Sequence, residues 1–320
     1  MPFNRERFCT MPDIVISEFM DLAAVQDLSA DYEVLYDPEL VQRPDDLTKS
    51  VAACHALIVR NRTQVRGRLL EACRNLKVVG RLGVGLDNID LDACRARGVR
   101  VLPAVGANDI AVAEYVIAGV LLLLRGAYCS TAAMLAGAWP RDRLIGREAY
   151  DRRLGLIGFG STARAVAVRA AALGMHVAAT DPYLAADDPI WPDLGVERLE
   201  LKPLLAGSDA ISLHVPLIPE TRHLIDRDAL RDVKPGAVLI NAARGGVVDE
   251  CALADALKTG TLAGALLDVY ETEPLPAGGG FDGIPNLILT PHIAGVTVES
   301  SARVSAVTAA NVRRVLEGEP

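Results

Sequence analysis

The chain has 320 residues, enough for about two domains at roughly 150 residues each. Hydrophobic residues make up 51% and charged residues 23%, so each domain can bury a full core and extended disorder is excluded. Asp and Glu outnumber Lys and Arg by 41 to 33, a net charge of −8; this argues against a nucleic-acid partner, though not against a small anion held by a local Arg cluster.

Residues 1–10 are charged and carry no apolar run, so they read as a flexible extension and not a secretory signal. Short apolar runs at 13–19, 32–36, 56–60, 77–80 and 99–102 then alternate with helix-like stretches such as 69–76 and 91–98. Buried runs of this length separated by crossovers predict βαβ units in a parallel sheet. The boundary of the first block falls near 103–107. There Asn108 and Asp109 can cap a long helix, 110–124. The apolar stretch 116–124 within that helix is far short of the roughly 20 residues that cross a bilayer. It predicts a buried helix, and no membrane partner.

A second set of apolar runs follows at 153–158, 176–181, 209–215, 237–241, 262–269 and 287–290. Six strands is the count of a full dinucleotide-binding sheet. The stretch 298–316 is again helical and is expected to pack on the first domain, leaving a ligand cleft between the two. Cys9, Cys54, Cys73, Cys94, Cys129 and Cys251 form no C-x-x-C pair, and the five His show no H-E-x-x-H spacing. Reduced thiols in a cytoplasmic protein with no metal site are the expectation.

The run 153–157 leads into Gly158-Phe159-Gly160-Ser161-Thr162-Ala163 and an Ala-rich helix, 164–173. In this strand–turn–helix context G-x-G-x-x-A has a mechanical meaning. Gly158 permits the turn, Gly160 lets the backbone approach a pyrophosphate, and Ala163 keeps helix and strand close. The next strand ends in Asp181, 21 positions after Gly160, where a carboxylate binds the ribose 2′-OH. No Arg follows it, so NAD is favoured over NADP. Gly83-Val84-Gly85 opens no helix and is not read as the dinucleotide loop.

Three later strands end in chemistry-bearing residues: Arg244 after 238–240, Glu271 and Glu273 after Asp268, and His292 after 287–290. In open parallel sheets ligands bind outside the carboxyl ends of the strands, so Arg, Glu and His converge there. A His with a pKa near neutral suits proton exchange with a carbonyl oxygen. A neighbouring carboxylate stabilises its charged form, and the planar Arg fork matches a substrate carboxylate.

With Val79–Asp90, Asn241–Asp249 and Thr290-Pro291-His292, the chain resembles the D-2-hydroxyacid dehydrogenases near their phosphoglycerate dehydrogenase branch. The resemblance implies an α/β fold of two Rossmann-like domains with parallel sheets. A dinucleotide-binding domain, 105–295, is inserted into a flavodoxin-like substrate domain, 11–104 plus 296–320. It implies NAD as cofactor and a small anionic 2-keto or 2-hydroxy acid as partner. It gives Arg244 the substrate carboxylate and carbonyl, and His292 the acid/base role. Glu273, which directly precedes a Pro, partners His292 in preference to Glu271. Asp268 is assigned the nicotinamide carboxamide. His214, Val215, Pro216, Thr221 and Ala242 join the cofactor set, while Val84, Gly85 and Asn108 join the substrate set. Ser161 and Thr162 depart from the basic and branched residues common there. Family members are commonly dimers, and 110–124 with 128–139 offers an apolar surface for a homodimer, Trp139 being its anchor.

Arg60, Asn61 and Arg62, with Arg81 near the Gly83 loop, suggest a second anionic group on the substrate, the alternative being that one of the arginines forms a surface or interdomain ion pair. Stretch 60–67 resembles that of sulfolactate dehydrogenases and implies 3-sulfolactate. The stereochemistry agrees, because a CH2–sulfonate outranks the carboxylate in naming and a D-type arrangement is then called S. Phosphoglycerate, glyoxylate and hydroxypyruvate stay open as substrates. So do formate- or phosphite-dehydrogenase chemistry and a non-enzymatic NAD-sensing role, against which the intact Arg–Glu–His set argues. Ending at Pro320, the chain is expected to lack the regulatory domain of longer phosphoglycerate dehydrogenases, and serine feedback with it.

Overall fold

The computed structural model describes residues 11–278, 280–284 and 286–319; the N-terminal extension with Cys9 lies outside them. The chain divides into two units. One holds the described residues up to Asn108 together with those from Val296 onward, and the other is Asp109–Gly295. The first boundary therefore falls after Asn108 and not after 104. Ala104 and Ala107 still pack in the core of the first unit, which carries that unit past the expected break.

The first unit is built on five strands: β1 (Ile14–Ile16), β2 (Val34–Tyr36), β3 (Ala56–Val59), β4 (Val78–Arg81) and β5 (Arg100–Pro103). Their order is β2-β1-β3-β4-β5, and every pair is parallel. Strands β1 and β3 are wholly buried, which is why they read as unbroken runs of Ile, Val, Leu and Ala. Their side chains alternate between two cores, Ile14, Ile16 and Ile58 on one face, Val15, Leu57 and Val59 on the other. The helix Val298–Leu316 covers the first face with Val304, Ala309 and Val312. A Cβ on Gly80 would stand 2.7 Å from Val312 Cγ2, so glycine lets this helix lie close against β4.

The second unit has seven strands: β6 (Arg153–Ile157), β7 (His176–Thr180), β8 (Glu197–Arg198), β9 (Ala210–Leu213), β10 (Ala237–Asn241), β11 (Leu262–Leu267) and β12 (Leu287–Leu289). Their order is β12-β11-β10-β9-β6-β7-β8, again parallel throughout. The sequence predicts six of these. Strand β8 is a two-residue exposed edge of Glu and Arg, with no apolar run to betray it. Chain order reverses between β6 and β9, so the loops leaving these neighbours diverge and open a crevice at their carboxyl ends. The helix Asp109–Arg125 buries Ala113, Val116, Val120 and Leu124, one face at helical spacing.

Cys54, Cys73 and Cys94 are buried, as small hydrophobes in the core. Cys251 departs from that pattern and is exposed, on the helix Glu250–Thr259. Among the described residues no helix is long and apolar enough to cross a membrane, and no group of three His, Cys, Asp or Glu is arranged for a metal ion.

Candidate active site

The glycine turn sits at the crevice of the seven-stranded sheet. Gly158 follows β6 with φ +86°, a conformation side chains disfavour. A Cβ there would stand 2.7 Å from the His214 carbonyl oxygen. Gly160 caps the helix Ser161–Ala172 with no side-chain capping bond, and a Cβ on it would meet nothing within 4 Å. The N–H groups of the first turn are thus uncovered, with the positive helix end behind them. That arrangement fits a pyrophosphate. The helix starts at Ser161, earlier than the Arg164 the sequence predicts; polar Ser161 and Thr162 carry no apolar periodicity that would reveal its first turn.

Asp181 follows β7 and turns its carboxylate toward this loop. Its Oδ2 accepts from the Phe159 N–H at 2.8 Å and its Oδ1 from the Tyr183 N–H at 2.9 Å. Thr162 Oγ1 donates to Asp109 Oδ1 at 2.5 Å, so Asp109 serves the loop as well as opening its own helix. Arg164 Nε donates to the Phe159 carbonyl at 3.0 Å, and the guanidinium lies 5.8 Å from that ring's centroid. It brings a positive charge beside the turn whose Ser161 and Thr162 lack one. His214 follows β9, its Nε2 lying 3.0 Å from Ser212 Oγ. Burial pushes its pKa down to about 4, against the opposing pull of Asp109, so the ring is neutral at pH 7. Val215 packs where a Gly158 side chain would go. Thr221 Oγ1 donates to the Pro216 carbonyl at 2.5 Å and accepts from the Ile218 N–H at 2.9 Å, closing the 216–221 loop. Ala242 lies half-buried just past β10.

Past β11 and β12 the His–Glu pair is formed. His292 Nδ1 lies 2.7 Å from Glu273 Oε2. A carboxylate only accepts, so Nδ1 carries the hydrogen and Nε2 is the nitrogen left for a reacting group. Burial raises the Glu273 pKa, but the hydrogen bond and charge of His292, the Tyr270 N–H and the charge of Arg244 outweigh it, and the net shift is downward. Arg244 thus acts on the same carboxylate. Its own loop is shaped by buried Asn241, which donates to the Arg244 carbonyl at 3.0 Å and accepts from the Ala243 N–H at 3.1 Å. Glu271 pairs instead with His223, at 3.1 Å.

Asp268, expected at the nicotinamide carboxamide, has structural partners of its own. It is 1% exposed, and its carboxylate accepts from Thr290 Oγ1 at 2.6 Å and from the Ile293 and Ala294 N–H groups at 2.8 Å each. It braces the loop that carries His292. Tyr115 extends the brace through a short hydrogen bond with Thr290 Oγ1, and burial pushes its phenol up to about 12. Tyr115 and Asn241 escape the sequence reading because each looks like an ordinary element residue until its partner is placed.

In the first unit, Arg60 is half-buried and Asn61 and Arg62 are exposed, directly after β3. Burial lowers the Arg60 pKa, opposed by the charge of Glu18. Arg81 turns back on its own loop, donating to the Leu82 carbonyl at 2.6 Å and lying against Gly83. Its guanidinium is used locally, unlike those of Arg60 and Arg62. Val84 is exposed, while Gly85 and Asn108 are half-buried.

Comparison with known proteins places the chain in a family. Residues 117–294 match the model of the D-isomer specific 2-hydroxyacid dehydrogenase NAD binding domain. The chain is 56% identical over 307 residues to an (S)-sulfolactate dehydrogenase of Chromohalobacter salexigens, covering 96% of this chain and 99% of that protein. It is 40% identical to the D-3-phosphoglycerate dehydrogenase of Mycobacterium leprae, covering 97% of this chain but 58% of that longer protein. Its fold superposes on a glyoxylate reductase of Paecilomyes thermophila with TM-score 0.84 at 30% identity, over 95% of each chain. The chain belongs to the NAD-dependent D-isomer specific 2-hydroxyacid dehydrogenases.

Proposed function

We propose that the chain interconverts (S)-3-sulfolactate and 3-sulfopyruvate. The His292–Glu273 pair, with Arg244 acting on the same carboxylate, is the observation that carries the chemistry. Arg244, whose Nη1 also donates to the Ala243 carbonyl at 2.6 Å, would pair with the substrate carboxylate and polarise the carbonyl. His292 Nε2 gives a proton to the carbonyl oxygen during reduction and takes it back during oxidation. Glu273 holds the imidazole by Nδ1 and balances its charge when protonated. Bound NAD supplies the hydride acceptor, and its reduced form the donor. Asp181 would accept from the ribose hydroxyls, the first turn after Gly160 would take the pyrophosphate, and His214 to Pro216, Thr221 and Ala242 would hold the rest.

Two further observations support the sulfonate. Neither Arg60 nor Arg62 has a carboxylate ion pair among the described residues, so both remain available to a second anion. The Chromohalobacter relative, at 56% identity, carries that activity in its name. The reading extends to a cytoplasmic homodimer. His292→Ala tests the chemistry: turnover should fall by at least 10²-fold, the span of general acid catalysis, while NADH binding by fluorescence titration stays intact. Loss of both would make His292 a structural residue.

A further inference from the structure

Glu18 immediately follows the β1 region and is 4% exposed. A buried carboxylate needs full compensation, and here it comes from the main chain of one loop. Glu18 Oε1 accepts from the Arg60 N–H at 2.9 Å and the Thr63 N–H at 3.0 Å, and Oε2 from the Arg62 N–H at 3.1 Å. The carbonyls of the same loop are tied from the other side. Asn88, 6% exposed, donates through Nδ2 to the Arg60 carbonyl at 3.1 Å and the Thr63 carbonyl at 2.7 Å. The Ser17 and Thr63 hydroxyls close the cluster at 2.9 Å. An apolar residue at 18 would leave three N–H groups unpaired, and an amide could not match all of them.

We infer that Glu18, with Asn88, is a positioning residue that sets the preference for a doubly anionic substrate by fixing the backbone from which Arg60 and Arg62 project. This rests on the reading of those two arginines as the second-anion site. The clamp leaves the guanidinium side chains as the parts still free to adjust. A loop fixed before binding loses less freedom when an anion arrives, and that gain falls on the substrate with the second anion. The negative charge beneath the loop also offsets the repulsion between two arginines two residues apart. The sequence motif R-N-R-T names the anion binders, but nothing local to it names their support, which lies 42 and 28 residues away in the chain.

The test measures kcat and KM of Glu18→Gln, Asn88→Ala and Arg62→Ala with 3-sulfopyruvate and with glyoxylate. Melting temperatures are taken alongside. The ratio of kcat/KM for 3-sulfopyruvate to that for glyoxylate should fall roughly tenfold or more in all three variants, carried by KM. If only Arg62→Ala lowers the ratio, the positioning role is overturned and the second-anion site stands. If Arg62→Ala leaves the ratio unchanged, the second-anion site fails and the positioning role with it. If Glu18→Gln or Asn88→Ala depresses both substrates equally, the cluster is a general support of the fold and the inference is overturned. Should Glu18→Gln not fold, Asn88→Ala reads the same ratio from the carbonyl side.

Discussion

His292 occupies the left-handed region, φ +53°, where a non-glycine residue is strained by about 1–3 kcal/mol. The strain is held by its neighbours. The His292 N–H donates to the Asp268 and Thr290 carbonyls, and the two residues after it bind the Asp268 carboxylate. The imidazole is thereby aimed before any substrate arrives, and Glu273 fixes which nitrogen faces it. His214 shows the opposite treatment, a ring kept neutral by burial. Its consequence is a stability effect with a definite sign. Its folded pKa, about 4, lies below the unfolded value near 6.5, so between these values the unfolded chain binds the extra proton. Stability should therefore fall as the pH drops from 6.5 toward 4, by about 2 kcal/mol after discounting its residual exposure. Urea midpoints across that window should flatten in His214→Asn; an unchanged slope would assign the loss to other groups.

At the scale of elements, the strands of both sheets were legible because strands covered on both faces must be apolar along their whole length, as Ile14–Ile16 and Ala56–Val59 are. Strand β8 was not, since an exposed edge of two residues needs no apolar side chain. Glycine spacing and Asp181 marked the nucleotide turn, but Arg164, one turn further on, looks like any helix cation until it folds back on Phe159. The pairing of His292 with Glu273 was legible from their order at strand ends. Its support was not, because Tyr115, Thr290 and Asp268 meet only through the fold. The C-terminal helix was predicted over its full extent, and its start has a physical cause. Thr297 Oγ1 accepts from the Ser300 N–H at 3.0 Å, while Ser300 Oγ accepts from the Thr297 N–H at 2.8 Å. Thr297→Ala removes half of this box and should cost about 1 kcal/mol, read as a lower urea midpoint with an unchanged slope. No change would show that packing on β4 alone fixes the helix.

The whole molecule carries two parallel sheets with separate cores, and its second unit presents an apolar surface of its own. Tyr128, Leu135, Trp139, Ile145 and Tyr150 are each well over half exposed. Exposed apolar side chains in this number call for a partner, and a second copy of the chain is the one proposed here. Sedimentation should give about twice the chain mass, with Trp139→Asp shifting the population to monomer; a monomeric native protein would refute the dimer.

The chain is a 2-hydroxyacid dehydrogenase, and the substrate proposed for it bears a second anion. NADH oxidation by the purified protein, followed across 3-sulfopyruvate, phosphohydroxypyruvate, hydroxypyruvate and glyoxylate, tests it most directly. The highest kcat/KM is expected with 3-sulfopyruvate, at least tenfold above glyoxylate. Equal or better use of the small acids without a second anion would contradict it and return Arg60 and Arg62 to a structural role.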